Sequence, residues 1–149
     1  MARIVMKRLK FDNNTIHRVV RLVRAHDIKI EPGQKYMRRA LNRLGEDIFP
    51  ELFEVKEADL AAQSAYLREE KKAELLGMRK DYEAVLKSKA CVSLKDLAVN
   101  GKDLIAEGAA PGKGLGEMLQ KLLEEVLEEP ERNTREYLLS RVKKMKENE

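Results

Sequence analysis

Between Leu115 and Leu127 an apolar side chain returns to one helical face at every turn. Leu115, Met118, Leu119, Leu122, Leu123, Val126 and Leu127 form an unbroken i, i+3, i+4, i+7 stripe. A helix with so wide an apolar face must bury it against other helices or against a partner. No segment of any length alternates apolar and polar residues as a half-buried strand would. Aromatics are 5% of the chain and charged residues 38%, so Leu, Val, Ile, Ala and Met must fill the core, a mix that favours helices. The expected fold is therefore all-α, with about seven to eight helices. At 149 residues the chain can bury one good core, or two small helical subdomains sharing one.

Local signals divide the chain into a body-like part, residues 1–88, and a tail-like part, residues 92–149. A short first helix is expected over 2–10, continuing from something upstream. Asp12 caps the next helix, whose apolar row is Ile16, Val19, Val20 and Val23, and His26-Asp27 closes it. After the turn Glu31-Pro32-Gly33 comes a helix over Gln34 to Leu44, burying Met37, Leu41 and Leu44 and stopped by Gly45. Glu46 or Asp47 caps a helix over 48–63 with Pro50 in its first turn. Residues 65–88 read as one long helix with Leu67, Leu75, Leu76, Met78, Tyr82, Val85 and Leu86 as its apolar members. In the tail, Ser93 to Leu97 and Lys102 to Glu107 are short helical patterns separated by Asn100-Gly101. The main helix, about 115–128, follows Pro111-Gly112-Lys113-Gly114, and Pro130 ends it. Asn133 or Thr134 with Glu136 begins a last helix to about Lys146.

Several classes are excluded. No apolar run approaches the roughly 18 residues that span a bilayer, and residues 1–7 lack the apolar core of a signal peptide. The single cysteine, Cys91, rules out an internal disulfide framework and suits a reducing cytoplasm, where a buried structural thiol is its simplest role. His26-Asp27 invites comparison with metal-dependent phosphohydrolases, but the only other histidine is His17, and a four-ligand cation site cannot be completed. Glu124, Glu125, Glu128, Glu129 and Glu131 read as a solvated helix face.

The charge is polarised. Residues 1–43 carry twelve Lys/Arg against three Asp/Glu, and the remaining 106 carry eighteen against twenty-three. A basic front suggests one surface facing a polyanion, or a solvated face that happens to be basic. Arg18, Arg21 and Arg24 recur every third residue beside the valine row, and Arg38, Arg39 and Arg43 add charge on a neighbouring helix. In the tail, Gly112, Lys113, Gly114 and the Gly116 amide sit at a helix entrance, where free N–H groups attract phosphate. A tight turn needed for packing explains the same glycines equally well. Scattered aromatics, Phe11, Tyr36, Tyr66, Tyr82 and Tyr137, favour recognition of a folded RNA by shape and charge over single-strand stacking.

A resemblance adds to this reading. Leu97-Ala98-Val99-Asn100-Gly101-Lys102-Asp103-Leu104 followed by Pro111-Gly112-Lys113-Gly114-Leu115-Gly116-Glu117 resembles the C-terminal tail of bacterial tRNA nucleotidyltransferases, the CCA-adding enzymes and their poly(A) polymerase relatives. Arg8-Leu9-Lys10-Phe11-Asp12-Asn13, Leu22 to Asp27, Arg38-Arg39-Ala40-Leu41, Gly45 to Pro50, Ala58-Asp59 and Gln63-Ser64 are similar to the same family's C-terminal half. The likeness is strongest over residues 8–67 and 92–139. The start resembles the end of a His-Asp-type helical domain, which makes His26 a helix-closing residue. Glu46-Asp47 looks like the family's nucleotide-selecting Glu-Asp-x-x-Arg signature, but Pro50 stands where the arginine would be. The family's catalytic head, a Gly-Ser pair with paired metal-binding aspartates, has no counterpart in this sequence.

The resemblance implies an RNA-binding C-terminal region that holds the acceptor and T-arm backbone of tRNA for 3′ CCA addition by an N-terminal head. Catalytic and metal-binding residues are expected to be none here. Magnesium and CTP or ATP are expected only for the head, and the chain alone is expected to be inactive. The candidate RNA contacts are Lys102, Gly112, Lys113 and Gly114, with Arg18, Arg21, Arg39 and Arg43 as a second set. Expected partners are tRNA and the N-terminal catalytic region, with no membrane and a cytoplasmic location. The alternative is a non-catalytic interaction or oligomerisation module, in which the 115–128 stripe pairs with a second copy in a homodimer.

Overall fold

In the computed structural model, which describes residues 1–62 and 68–147, eight α-helices and three short 3-10 turns account for the regular structure, with no strand among the described residues. The helices are α1 (Ala2–Arg8), α2 (Asn13–Ala25), α3 (Gln34–Leu44), α4 (Phe49–Ala62), α5 (Arg68–Ser88), α6 (Gly101–Ala106), α7 (Lys113–Glu128) and α8 (Arg135–Glu147). The chain divides into two compact units, Met1–Ala84 and Val85–Glu149, so α5 contributes residues to both. The expected end of the fourth helix at residue 63 and the start of the fifth at 65, together with Gln63, Ser64, Tyr66 and Leu67, lie outside the described residues.

In the first unit the caps act as their residue types predict. Asp12 accepts a hydrogen bond from the Thr15 N–H at 3.0 Å and starts α2. Gly45, at φ 87°, closes α3 where a side chain would be strained. Glu46 and Asp47 make no side-chain cap; they lie in a 3-10 turn over Glu46–Ile48 that runs straight into α4. The core gathers Ile16 and Ala25 of α2, Met37 and Leu41 of α3, Ile48, and Phe49, Leu52 and Phe53 of α4. Tyr82 of α5 stacks on Phe49, with ring centroids 5.4 Å apart, and meets the Phe53 ring edge-on at 5.3 Å. These three rings bring α5 against α4 in place of a long aliphatic stripe.

Two expected apolar rows are corrected. Val23 is exposed; the buried edge of α2 turns through Ile16 to Ala25 instead. Along α5 only Val85 is buried, while Leu76 and Leu86 face solvent. In the first case α2 is covered along one edge rather than over a full valine row. In the second the aromatic contact at Tyr82 sets which side of α5 faces inward.

The second unit is built around α7. Met118, Leu122, Leu123, Val126 and Leu127 are buried, with Leu115 and Leu119 packed against the same cluster. Leu97, Val99, Leu104, Ala109, Leu138 and Val142 complete the core with Cys91. The predicted stripe thus closes a core within its own chain. Burial pushes the Cys91 thiol up to about 11. Asn133 clips the loop before α6 to the entrance of α8. Its amide oxygen accepts from the Ala98 N–H at 2.8 Å, and its amide nitrogen donates to the Asp96 carbonyl at 2.9 Å.

Candidate nucleic-acid interface

Each member of the Asn100-to-Leu104 motif has a structural task. Asn100 caps α6, its side-chain oxygen accepting from the N–H groups of Lys102 at 2.9 Å and Asp103 at 3.4 Å. Asp103 returns the bond by accepting from the Asn100 N–H at 2.8 Å, completing a capping box. The same carboxylate takes the Arg135 guanidinium at 2.7 Å. The Asn100 amide, and then Arg135, hold Asp103 below the usual carboxylate range. Leu104 is fully buried. Gly101 is a close approach: a Cβ there would lie 3.2 Å from a methyl of Leu115. The first turn of α6 therefore rests directly against the first turn of α7, and Lys102 and Lys113 stand at two adjoining helix entrances.

The entrance of α7 is open. Gly112, at φ 133° and ψ −158°, is its N-cap and offers no side-chain oxygen to the first-turn N–H groups. Its backbone conformation is one that a side chain would strain. Gly114 and Gly116 lie inside the helix, and an added Cβ at either would meet nothing within 4 Å. Among the described residues nothing outside their own helix packs on them, so packing there does not account for these two glycines. Each costs the helix roughly 0.5–1 kcal/mol relative to alanine. The Lys113 side chain is 93% exposed and only loosely paired with Glu117 at 3.7 Å. Lys102 is exposed on the neighbouring entrance. The result is a bare backbone edge with a helix dipole and two lysines beside it, a geometry suited to an anion.

The second set of expected contacts fares differently. Arg18 pairs with Glu51, its Nε donating at 2.7 Å. Arg21 forks onto Asp47, donating at 2.7 and 2.8 Å, and donates again to the Leu44 carbonyl at 2.7 Å. That pairing holds Asp47 below the usual carboxylate range. Both arginines thus tie α2 to the segment opening α4. Arg38 is buried. Arg39 and Arg43 are exposed on α3. Much of the basic front is neutralised inside its own unit, which the charge count along the sequence could not register. By sequence, residues 1–84 carry eighteen Lys/Arg against fourteen Asp/Glu, and residues 85–149 carry twelve of each. The tail's positive character is therefore local to the helix entrances rather than a property of its net charge.

The remaining chemistry-bearing residues are structural. His26 is the C-cap of α2, its Nδ1 bonded to the Val23 carbonyl at 2.7 Å. Lys56, half-buried, donates to the His26 and Ile28 carbonyls at 2.7 and 3.2 Å; desolvation lowers its pKa. No three His, Cys, Asp or Glu side chains converge as a metal site among the described residues. No helix among them is long and apolar enough to cross a membrane. The Gly101–Leu115 approach, which joins the two entrances, was not anticipated; the signal was a glycine directly after the capping Asn100.

Fold and site together define an all-α module whose tail presents two adjoining helix N-termini, one of them bare and flanked by lysine. The family model of tRNA nucleotidyltransferase domain 2 matches residues 1–142, and the chain belongs to that family, as a tRNA nucleotidyltransferase C-terminal region. Comparison with curated proteins and with solved structures finds no match.

Proposed function

We propose that the tail of this chain binds tRNA through the backbone of its acceptor and T-arm stem, positioning the 3′ end for CCA addition by a catalytic head. The observation that carries this reading is the uncovered edge at Gly112, Gly114 and Gly116 beside Lys113. Glycines on which no other described residue packs let an RNA phosphate reach the first-turn N–H groups, and the helix dipole and lysine favour its charge. Lys102, one helix entrance away, meets an adjacent phosphate. Arg39 and Arg43 form a secondary set on the body, whereas Arg18 and Arg21 serve the fold. Holding a stem fixes reach and orientation, so the role is positioning rather than bond-making. Magnesium and CTP or ATP belong with the head, as does the choice among CCA, partial or poly(A) addition. A tRNA substrate implies a cytoplasmic setting.

The test is fluorescence anisotropy of a labelled tRNA lacking its CCA end, titrated at several salt concentrations. Log affinity should fall linearly with log salt, and Lys113→Glu should weaken binding and reduce the slope by about 1. Gly114→Ala and Gly116→Ala are the sharper probes. Each should raise helix stability by up to about 1 kcal/mol while weakening RNA binding. Tighter or unchanged binding by both alanine variants would sink the proposal.

A further inference from the structure

α6 is six residues long, too short to hold itself together in water, and Leu104 is its one buried side chain. A single apolar pivot fixes where such a helix sits but not how it is turned. Polar ties to α8 and the residues just before it set the turn, and they act at both ends. Asn133 holds the Asp96 carbonyl and the Ala98 N–H in the loop that leads into α6. Asp103 divides its carboxylate between two partners. Oδ2 accepts from the Asn100 N–H and closes the capping box, while Oδ1 accepts from Arg135 Nη1 at 2.7 Å. At the far end the Lys146 ammonium donates to the Glu107 carbonyl at 2.8 Å, and Lys143 lies 3.3 Å from the Glu107 carboxylate. Cations are favoured there, beside the carbonyls that end a helix. Arg135, Lys143 and Lys146 fall on one face of α8, so a single helix face grips both ends of α6.

The Arg135 side chain is 59% exposed and that of Asp103 16%. An ion pair so open to solvent adds little stability, and the capping box closes without it. What Arg135 contributes is direction. It fixes the first turn of α6, the turn that carries Lys102, while Gly101 in the same turn lies against Leu115 of α7. We infer that Arg135 is a positioning residue for tRNA binding: acting through Asp103, it aims Lys102 at the phosphate next to the one that Lys113 meets. The inference rests on the tRNA reading above and assigns Arg135 no contact with the RNA itself.

The experiment is a double-mutant cycle on the whole chain, read as anisotropy of the labelled tRNA at several salt concentrations. Lys102→Gln and Arg135→Gln should each weaken binding about threefold to tenfold and reduce the salt slope by about 1. The double variant should bind within about twofold of either single one. Asp103→Asn keeps an oxygen for the cap but loses the ion pair, and it should weaken binding although it removes a negative charge. In the Arg135→Gln background, Lys113→Glu should still reduce the slope by about 1, showing the α7 entrance intact. Multiplicative effects of Lys102→Gln and Arg135→Gln, with a slope reduced by about 2 in the double variant, would make Arg135 a direct phosphate contact and overturn the inference. So would unchanged binding by Arg135→Gln, tighter binding by Asp103→Asn, or loss of the Lys113→Glu effect once Arg135 is replaced. In each of those cases the tRNA reading stands. A wild-type chain that fails to bind tRNA removes that reading and this inference together.

Discussion

Removing Glu125 or Arg141 should weaken the tail, and removing both should cost less than the sum. The two side chains join α7 to α8: Arg141 Nε reaches the Glu125 carboxylate oxygens at 3.0 and 2.9 Å, and Nη2 reaches one of them at 2.6 Å. Tyr137 donates its hydroxyl to the same carboxylate at 3.0 Å. A charge-assisted bond of this kind contributes roughly 1.5–3 kcal/mol, whereas fully exposed ion pairs contribute about 0.2–1 kcal/mol. The side chains are 20% and 33% exposed, so solvent screens the pair in part. The expected coupling between Glu125→Ala and Arg141→Ala is therefore about 1–1.5 kcal/mol at neutral pH. Arg141 above all, and Tyr137 to a lesser degree, hold the Glu125 carboxyl below its ordinary 4.5. A depressed carboxylate lends stability that is fully present above its unfolded pKa and is lost as pH falls through the folded one. The coupling should accordingly hold at pH 5 and above, and decline as pH falls below about 4.5. Hydrogen exchange on peptides of α7 and α8 reads this unit by itself. A coupling below about 0.3 kcal/mol at pH 7, or one that survives unchanged into strong acid, would refute the reasoning.

Other outcomes follow from single positions. Asn100→Ala removes the α6 cap and should cost about 1 kcal/mol, read as faster exchange of α6 amides. Gly45→Ala places a Cβ 2.7 Å from the Asp47 carboxylate and 2.9 Å from the Arg21 guanidinium, at φ 87°. It should destabilise the first unit by about 1–3 kcal/mol, measured by urea unfolding, with Arg21→Met losing part of the same energy. Leu122→Ala, at a fully buried position, should cost about 2–5 kcal/mol by the same measurement. Cys91, its thiol held at about 11 and its side chain buried, should react with a thiol reagent at pH 8 at least about 100-fold more slowly in the folded chain than in urea.

Local signals in the sequence carried most of the helical architecture. α3 occupies the predicted Gln34 to Leu44, and the α7 stripe is buried where its periodicity requires. Asp12, Gly45, Asn100 and Pro130 act at or beside the boundaries their chemistry marks. Such features depend on residues within a turn or two of each other, so they are legible without a fold. The candidate site was legible only in outline. Its glycines and lysines were visible, whereas the open space around Gly114 and Gly116, where an added Cβ meets no described atom within 4 Å, was not.

By itself, then, the sequence determined that the described chain is all-α, where several of its helices begin or end, and which entrance is rich in glycine. The partners of charged groups were decided by tertiary structure alone. Arg18 and Arg21 meet acids 33 and 26 residues away, and Asp103 meets Arg135 across 32. Val23 and Leu76 face water although they sit in apolar rows, because burial depends on which edge of a helix another element covers. Periodicity reports a helix's own faces. Which face is covered, and which cation is left for a ligand, depends on contacts between residues far apart in the chain.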